Sequence, residues 1–479
     1  MIEKYYSGVI EQIYNRIGKE TRNIVMANYS NDFSIENLEV IRRYQSNEDN
    51  VFFAYSEFSY NTLVGAYEPF LDIICNMHRR FIGGSFDDFQ KECGVYYLHR
   101  QVLNSYYETG ECFREETVLL NEVAYEQRRM TMAIADMLKK LSEVKPLMIV
   151  INRFQMASKS SIETIKYLID NPCANIGIVL GVNAIVKGTD STVEVWDRIV
   201  ESLEDRSAIY YIGSAGSLKN NVKTTNDDEL YITMNFEQSI QEASNIMEFL
   251  DFEQARRGCR IIEHKIKFED AWIDEKSLRR FYLIYARTSV LLGEMSKAIE
   301  LTNEYKALIP ENDSEHYLSL YYFMKGTCYM YQGKLEKAGN SAKSAYDYAV
   351  LAEDDTLIFK AELLSVMIKM SGWYNIFFCV QDIPVSDEII EKLIKHGYRN
   401  HLAHIYIYAY DNSRDVVKQS FYDESLLKHF TKGLELAKEI GNEQLVYDAY
   451  QKTIMLASTS GLNEIAFLYV IRTYEFMKG

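Results

Sequence analysis

The stretch that most constrains the fold of this 479-residue chain is PLMIVINRFQMASKSSIETIKYL, residues 146–168. It begins with consecutive apolar residues behind Pro146, a pattern typical of a strand buried on both faces of a parallel sheet. A polar turn follows, and Ser160 and Ser161 are predicted to cap a helix whose apolar residues recur at helical spacing. Strand, turn and helix in this order predict an α/β domain, and such folds place their ligands at the carboxyl edge of the sheet.

The same stretch resembles the Walker B region of STAND-type (AAA-related) ATPases, which occur in large LuxR-type bacterial regulators. The family's frame is matched at Pro146, Gln155, Ala157, Ser161 and Glu163. The acids are not matched, since Asn152 and Arg153 replace the family's Asp-Asp pair and Ser158 replaces a later Asp. The resemblance therefore implies the architecture of a nucleotide site without the acid that holds the metal.

The family keeps its phosphate-binding Walker A loop between a first strand, here residues 23–27, and a helix predicted over about residues 35–44. Glycines in that loop let backbone N–H groups surround phosphates, a lysine neutralises them, and a hydroxyl holds Mg²⁺. This chain has Asn28 and Phe33 at the glycines, Ser34 at the lysine and Ile35 at the hydroxyl. Together with Asn152 and Arg153, these four residues form a vestigial nucleotide site, and we expect Phe33 and apolar neighbours to fill the old phosphate position. ATP hydrolysis is not expected.

Beyond about residue 231 no segment is strand-like, and a repeat is visible. Three small residues recur 40 positions later (326 against 286): Ala286, Gly293 and Ala298 are followed by Gly326, Gly333 and Ala338. The spacing resembles the tetratricopeptide (TPR) pattern, in which small residues let two antiparallel helices approach closely. The predicted fold is thus an α/β P-loop-NTPase-like parallel-sheet domain at residues 1–213, a linker or loop at 214–230, and an all-α TPR-like helical solenoid at 231–479.

Composition limits the partners that this chain can take. The net charge of −17 repels phosphate backbones, so direct nucleic-acid binding is not expected. Seven cysteines without regular spacing favour reduced thiols. The first residues lack the apolar core of a signal peptide, and the longest apolar segment, residues 176–186, is too short to cross a bilayer. We therefore expect a cytoplasmic protein without membrane contact.

No catalytic motif such as HExxH, CxxC or GxSxG is present. His401 and His404 lie three residues apart on a predicted helix, but no third ligand is evident, so packed or surface histidines are expected rather than a metal site. We predict no metal, no cofactor and no enzymatic activity. Six tyrosines in the repeats are candidate anchors for a partner in a concave groove, although helix–helix packing would also use aromatic residues: Tyr317, Tyr321, Tyr322, Tyr406, Tyr408 and Tyr410.

Three functions remain open at this point. The favoured one is a non-catalytic regulatory or scaffold protein, in which a pseudo-ATPase STAND-like module precedes a TPR-like superhelix that binds a protein or a small ligand. The second is a transcription regulator of LuxR-type ancestry that acts through a DNA-binding partner, since no C-terminal helix-turn-helix is visible. The third is an active NTPase, which the loss of both nucleotide motifs disfavours. The oligomeric state is not predicted.

Overall fold

Seven strands occur in the part of the chain that the computed structural model describes. They are β1 (Ile24–Tyr29), β2 (Phe52–Glu57), β3 (Leu147–Asn152), β4 (Ile176–Asn183), β5 (Val186–Lys187), β6 (Ile209–Ile212) and β7 (Lys223–Thr224). Five of them form one parallel sheet in the order β2-β3-β4-β1-β6, and β5 pairs with β7 separately. Every residue of β3 and β4 is buried, as a continuous apolar run predicts.

The described residues are 2–29, 38–46, 50–59, 63–116, 118, 122–183, 186–187, 192–212, 223–224, 235–268, 273–312, 314–374, 387–409, 424–459 and 461–478. The chain divides into two compact units. The first comprises Met1–Val95, His99–Arg114 and Val123–Ser277, and the second comprises Tyr96–Leu98, Glu115–Glu122 and Leu278–Gly479. Each unit is therefore assembled from separate stretches of the sequence.

Ten helices accompany the sheet in the first half of the described chain. They are α1 (Ile2–Arg16), α2 (Glu39–Ser46), α3 (Phe70–Met77), α4 (Phe86–Glu92), α5 (Tyr97–Thr109), α6 (Val123–Val144), α7 (Lys159–Asp170), α8 (Val193–Glu204), α9 (Phe236–Glu248) and α10 (Phe252–Phe268). The apolar side of α1, with Tyr6, Ile10 and Ile13, joins Val25 and Ala27 of β1 in one buried cluster. A large apolar side chain stabilises the fold by about 1.5–3 kcal/mol when it is fully buried.

Two boundaries near the sheet edge differ from the sequence prediction. Asn28, predicted to begin the phosphate loop, lies within β1 and is in register with Val182, because the strand continues through buried Tyr29. The cap of α7 is Ser158 rather than Ser160 or Ser161: its backbone is extended and its hydroxyl accepts the Ser161 N–H. The extended backbone at an N-cap lets the side chain reach the free N–H groups of the first turn.

The second half of the described chain is helical. Its helices are α11 (Glu275–Leu291), α12 (Met295–Ala307), α13 (Glu315–Tyr331), α14 (Leu335–Leu351), α15 (Asp355–Tyr374), α16 (Asp387–Lys395), α17 (Arg399–His404), α18 (Glu424–Ile440), α19 (Glu443–Thr459) and α20 (Asn463–Lys478). Short turns join α11 to α12 and α13 to α14, and each turn contains a glycine at positive φ, Gly293 at 76° and Gly333 at 71°. That conformation favours glycine, so the recurring glycine marks the turn of each helical hairpin.

Four of the six small residues of the predicted repeat lie where helices approach each other, whereas Gly293 and Gly333 lie in turns. Ala286, Ala298 and Ala338 are fully buried. A Cβ on Gly326 would lie 3.1 Å from Leu364 Cδ2 and 3.4 Å from the carbonyl oxygen of Ala338. Close helix approach at these positions agrees with the hairpin interpretation, and the extension of the hairpins into a solenoid stays a prediction.

Helices α9 and α10 belong to the same unit as the sheet, whereas the sequence predicts that the repeat domain begins at residue 231. Most of the predicted linker 214–230 lies outside the described residues, apart from β7. The domain limits at 213 and 231 therefore stay predictions. Among the described helices, none is long and apolar enough to cross a bilayer.

Candidate functional site

At the carboxyl edge of the sheet, where the resemblance places a nucleotide, the side chains of Tyr29 and Asn152 contact each other. Tyr29 ends β1 and Asn152 ends β3, and the Tyr29 hydroxyl donates a hydrogen bond of 2.7 Å to Asn152 Oδ1 across the strand between them. Both residues are buried. A Cβ on Gly181 of that middle strand would lie 2.9 Å from Asn152 Oδ1 and against the Tyr6 hydroxyl. Glycine at position 181 therefore leaves room for the Tyr6 side chain and the Asn152 amide.

The cation beside this edge is already paired. Arg153 adopts a left-handed backbone conformation with φ of 54° and places its guanidinium 3.1 Å from Glu57 Oε1. The Tyr55 hydroxyl donates to the other oxygen of Glu57, and Arg153 also donates to the carbonyl oxygen of Phe58. The charge of Arg153 is thus balanced by the carboxylate of Glu57, at the end of the neighbouring strand β2.

Gln155 and Asn183 form a second polar pair at this edge of the sheet. Gln155, fully buried, accepts a hydrogen bond of 3.2 Å from the backbone N–H of Asn183 at the end of β4. Sequence reasoning missed this pair. The signal was present, because a glutamine after a buried strand needs a polar partner nearby.

Among the described residues of this edge, the charged groups of Glu57 and Arg153 are paired with each other rather than free to bind a magnesium-bound triphosphate. Mg²⁺ prefers carboxylate and phosphate oxygens, and the Asn152 amide oxygen is taken by Tyr29. Burial raises the pKa of Tyr6 well above its usual value, and neighbouring Tyr29 and Glu57 add to this. The phenol therefore stays neutral at physiological pH. Phe33, Ser34 and Ile35 lie outside the described residues, so the prediction that Phe33 fills the phosphate position stays open.

The first unit contains a cleft of about 500 Å³, and two other cavities there measure about 180 and 210 Å³. The cationic side chains of the cleft are mostly paired: Lys159 Nζ lies 3.0 Å from Glu253 and Arg198 lies 3.2 Å from Glu163. An open cleft with balanced charges offers no fixed charge for an ionic ligand to neutralise.

In the second unit, buried carboxylates hold the two histidines of α17. Glu116 Oε1 lies 2.6 Å from His401 Nδ1, and Glu122 Oε1 lies 2.8 Å from His404 Nε2. Asn442 also donates to Glu122, at 2.9 Å. All five side chains are nearly inaccessible to solvent. His401 and His404 are thus packed histidines, and no group of three or more His, Cys, Asp or Glu side chains within the described residues is arranged to hold a metal.

The electrostatics of the Glu122–His404 pair favour the charged forms. Burial alone would raise the pKa of Glu122, but the His404 imidazolium and hydrogen bonds from Asn442 and Asn400 lower it to about 2. Burial would lower the pKa of His404, but Glu122 raises it. Each partner therefore favours the charged form of the other. Sequence reasoning missed this pair, because 282 residues separate its members.

The tyrosines predicted to bind a partner differ in their exposure to solvent. Tyr321 and Tyr406 are buried, at 2% and 3% exposure, so they pack between helices and have no surface to offer a partner. Tyr317, Tyr322 and Tyr408 are partly exposed. Tyr410 lies outside the described residues, and partner binding by the tyrosines stays a prediction.

The half-exposed tyrosines are held in fixed orientations. The Arg279 guanidinium lies 4.9 Å from the centre of the Tyr317 ring, Tyr322 stacks on Tyr348 with ring centres 5.6 Å apart, and the Tyr408 hydroxyl donates to Asp448 at 2.9 Å. Rigid aromatic rings at a surface are favourable contacts for a partner, because little conformational entropy is lost on binding.

No protein-family model matches the chain, and no curated protein matches it significantly. Two solved structures resemble it at 12% sequence identity. One is a Rap protein complexed with competence and sporulation factor, with a TM-score of 0.35 over 85% of this chain and 98% of that one. The other is a STAND protein with a tetratricopeptide repeat sensor from Pyrococcus horikoshii, with a TM-score of 0.42 over 98% of this chain and 82% of that one. The LuxR-type relation stays a prediction.

Proposed function

We propose that this chain is a non-catalytic regulatory or scaffold protein. Its sheet unit is a pseudo-ATPase that no longer binds Mg-nucleotide, and its helical hairpins bind a protein partner. The observation that carries the first part is the closed sheet edge, where buried Tyr29 donates to Asn152 in place of a free acid. Phosphoryl transfer depends on positioning and on charge stabilisation by metal and cations. Among the described residues of this edge, an amide replaces the metal-holding acid, and the Arg153 cation is paired with Glu57.

The first part is tested by calorimetric titration of the full chain with ATP and ADP, each with and without Mg²⁺. We expect no binding heat at millimolar nucleotide and no phosphate release above that of heat-inactivated protein. The variant Asn152→Asp restores one acid but leaves Tyr29 in place, so it is also expected to be inactive. Saturable binding that Asn152→Asp strengthens would contradict the proposal.

The second part rests on the partly exposed, rigidly held tyrosines. A pull-down from the native cell should recover a partner with the full chain and lose it when Tyr317 and Tyr322 are both changed to alanine. Tyr5→Ala is the matched control, because this tyrosine is 63% exposed but lies in α1 of the other unit. Equal recovery with all three proteins would remove these tyrosines from the binding surface.

A further inference from the structure

The last helix described, α20, exposes large apolar side chains at helical spacing. Phe467 is 66% exposed, Val470 47%, Ile471 40%, Tyr474 55% and Met477 63%. Residues separated by three and four positions lie on one side of a helix. These five residues, named here the apolar stripe, therefore form one continuous surface along α20.

The apolar stripe is not the side of α20 that packs within its own unit. Ala466 and Thr473 are buried, and the Tyr469 ring lies 5.6 Å from the ring of Tyr450 in α19. Each successive residue turns by about 100°, so Phe467, Ile471 and Tyr474 point away from these packed residues, whereas Val470 and Met477 border them. A helix that is apolar on two sides is typical of one that is covered by two neighbours. Within its own unit, α19 is the neighbour that covers one side of α20.

We propose that the apolar stripe is the interface with a second copy of this chain, formed by two antiparallel α20 helices about a two-fold axis. The sequence of the stripe is nearly the same in both directions: aromatic Phe467, β-branched Val470 and Ile471, aromatic Tyr474. With the axis between positions 470 and 471, Phe467 meets Tyr474 of the second copy and Val470 meets Ile471. A surface that is complementary to itself is what an isologous contact requires.

Charge favours a second copy at this helix over a lipid surface. The chain as a whole carries −17, which repels both another copy and an anionic membrane. Within α20, however, Glu464 and Glu475 balance Arg472 and Lys478. Two copies can therefore meet here without like-charge repulsion. Membrane-surface helices instead concentrate lysine and arginine on their polar side.

The area of the apolar stripe limits the size of the interface that it can form. With about 200 Å² for each large side chain, the exposed fractions of the stripe amount to roughly 500 Å² per copy, or about 1,000 Å² for the pair. That is the lower limit of specific interfaces, and neighbouring groups add only to its rim. Area alone does not determine affinity, but for an interface at this lower limit we expect a weak, reversible dimer with a dissociation constant on the order of micromolar.

Sedimentation equilibrium of the full chain between about 1 and 100 µM tests the proposal. We expect a monomer–dimer equilibrium that Ile471→Glu weakens by roughly 30-fold or more, because it places two carboxylates at the axis. Val350→Glu is the matched control: it adds the same charge at a similarly exposed apolar position, 45% against 40%, in α14 rather than in α20. Its dissociation constant should stay within roughly threefold of that of the unmodified chain.

A charge exchange separates direct contact from indirect effects. Mixing Ile471→Glu with Ile471→Lys should restore dimers, whereas each variant alone stays monomeric at concentrations where the unmodified chain associates. Thermal unfolding checks that all variants remain folded. A monomer throughout the concentration range, equal effects of the two glutamate variants, or a monomer that binds neutral lipid vesicles through the stripe would overturn the proposal.

Discussion

At the scale of single residues, Glu122 is a buried acceptor for three side chains. His404, Asn400 and Asn442 donate to its carboxylate at 2.8, 3.1 and 2.9 Å. Replacing it with glutamine leaves the imidazolium without its counter-charge in a site that water does not reach. We expect Glu122→Gln to lower the free energy of unfolding by about 2–4 kcal/mol, measured by denaturant titration near pH 6.

The control for this variant is Glu115→Gln in the same segment. Glu115 is exposed, and its backbone carbonyl oxygen accepts a hydrogen bond from the Tyr398 hydroxyl, which the substitution keeps. Its effect should stay within about 0.5 kcal/mol. Equal losses from both variants would mean that the carboxylate of Glu122 has no special role.

The same pair predicts a pH window. The pKa of Glu122 is lowered from 4.5 to about 2, so its contribution to stability is complete above pH 4.5 and is lost as the pH falls towards 2. The pKa of His404 is raised from 6.5, so its contribution is complete below pH 6.5 and is lost as the pH rises through the folded value. The difference in unfolding free energy between the unmodified chain and Glu122→Gln should therefore be largest between pH 4.5 and 6.5. A difference that grows steadily above pH 7 would contradict this assignment.

At the scale of elements, substitution by alanine should change the free energy of unfolding in opposite directions at two glycines, Gly333 and Gly339. Gly333 lies in the turn of the α13–α14 hairpin at φ 71°, and Gly339 lies within α14 with no atom within 4 Å of an added Cβ. We expect Gly333→Ala to lower the free energy of unfolding by about 1–2 kcal/mol. Gly339→Ala should raise it by about 0.5–1 kcal/mol, because alanine restricts the unfolded chain. Losses from both would mean that the turn conformation is not what requires glycine.

The elements also show what sequence alone could predict. Strand β3 was predicted correctly, because a continuous apolar run is a local signal. The end of β1 was wrong at Asn28, since pairing with a neighbouring strand, not local preference, carries that strand to Tyr29. The partners of His401 and His404 could not be predicted, because their carboxylates come from a segment more than 280 residues earlier. Burial of Tyr321 and Tyr406 likewise depends on helix packing that no spacing rule contains.

At the scale of the whole molecule, the second unit is discontinuous in sequence. It includes Glu115–Glu122 from the first third of the chain, and this segment supplies the carboxylates of Glu116 and Glu122. The Tyr398 hydroxyl and the backbone N–H groups of Asn400 and His401 also donate to this segment. A fragment cut at a sequence boundary therefore lacks part of the core of that unit.

The stability of a fragment of residues 278–479 should depend on pH in the opposite sense to that of the full chain near pH 6: acidification should destabilise the fragment and stabilise the full chain. In the full chain Glu122 raises the pKa of His404, so acidification from neutral pH towards pH 6.5 favours the folded state through this group. Without Glu122, we expect burial, which lowers the pKa of His404, to outweigh the smaller opposing effects of Asp448 and Glu116. The unfolded chain then binds the proton more readily, and acidification destabilises the protein. Denaturant titrations at pH 5 and 7 measure the sign for both proteins. The full-length Glu122→Gln variant should follow the fragment, which keeps the test decisive if the fragment does not fold. If the variant keeps the slope of the unmodified chain, His404 is not held by this carboxylate.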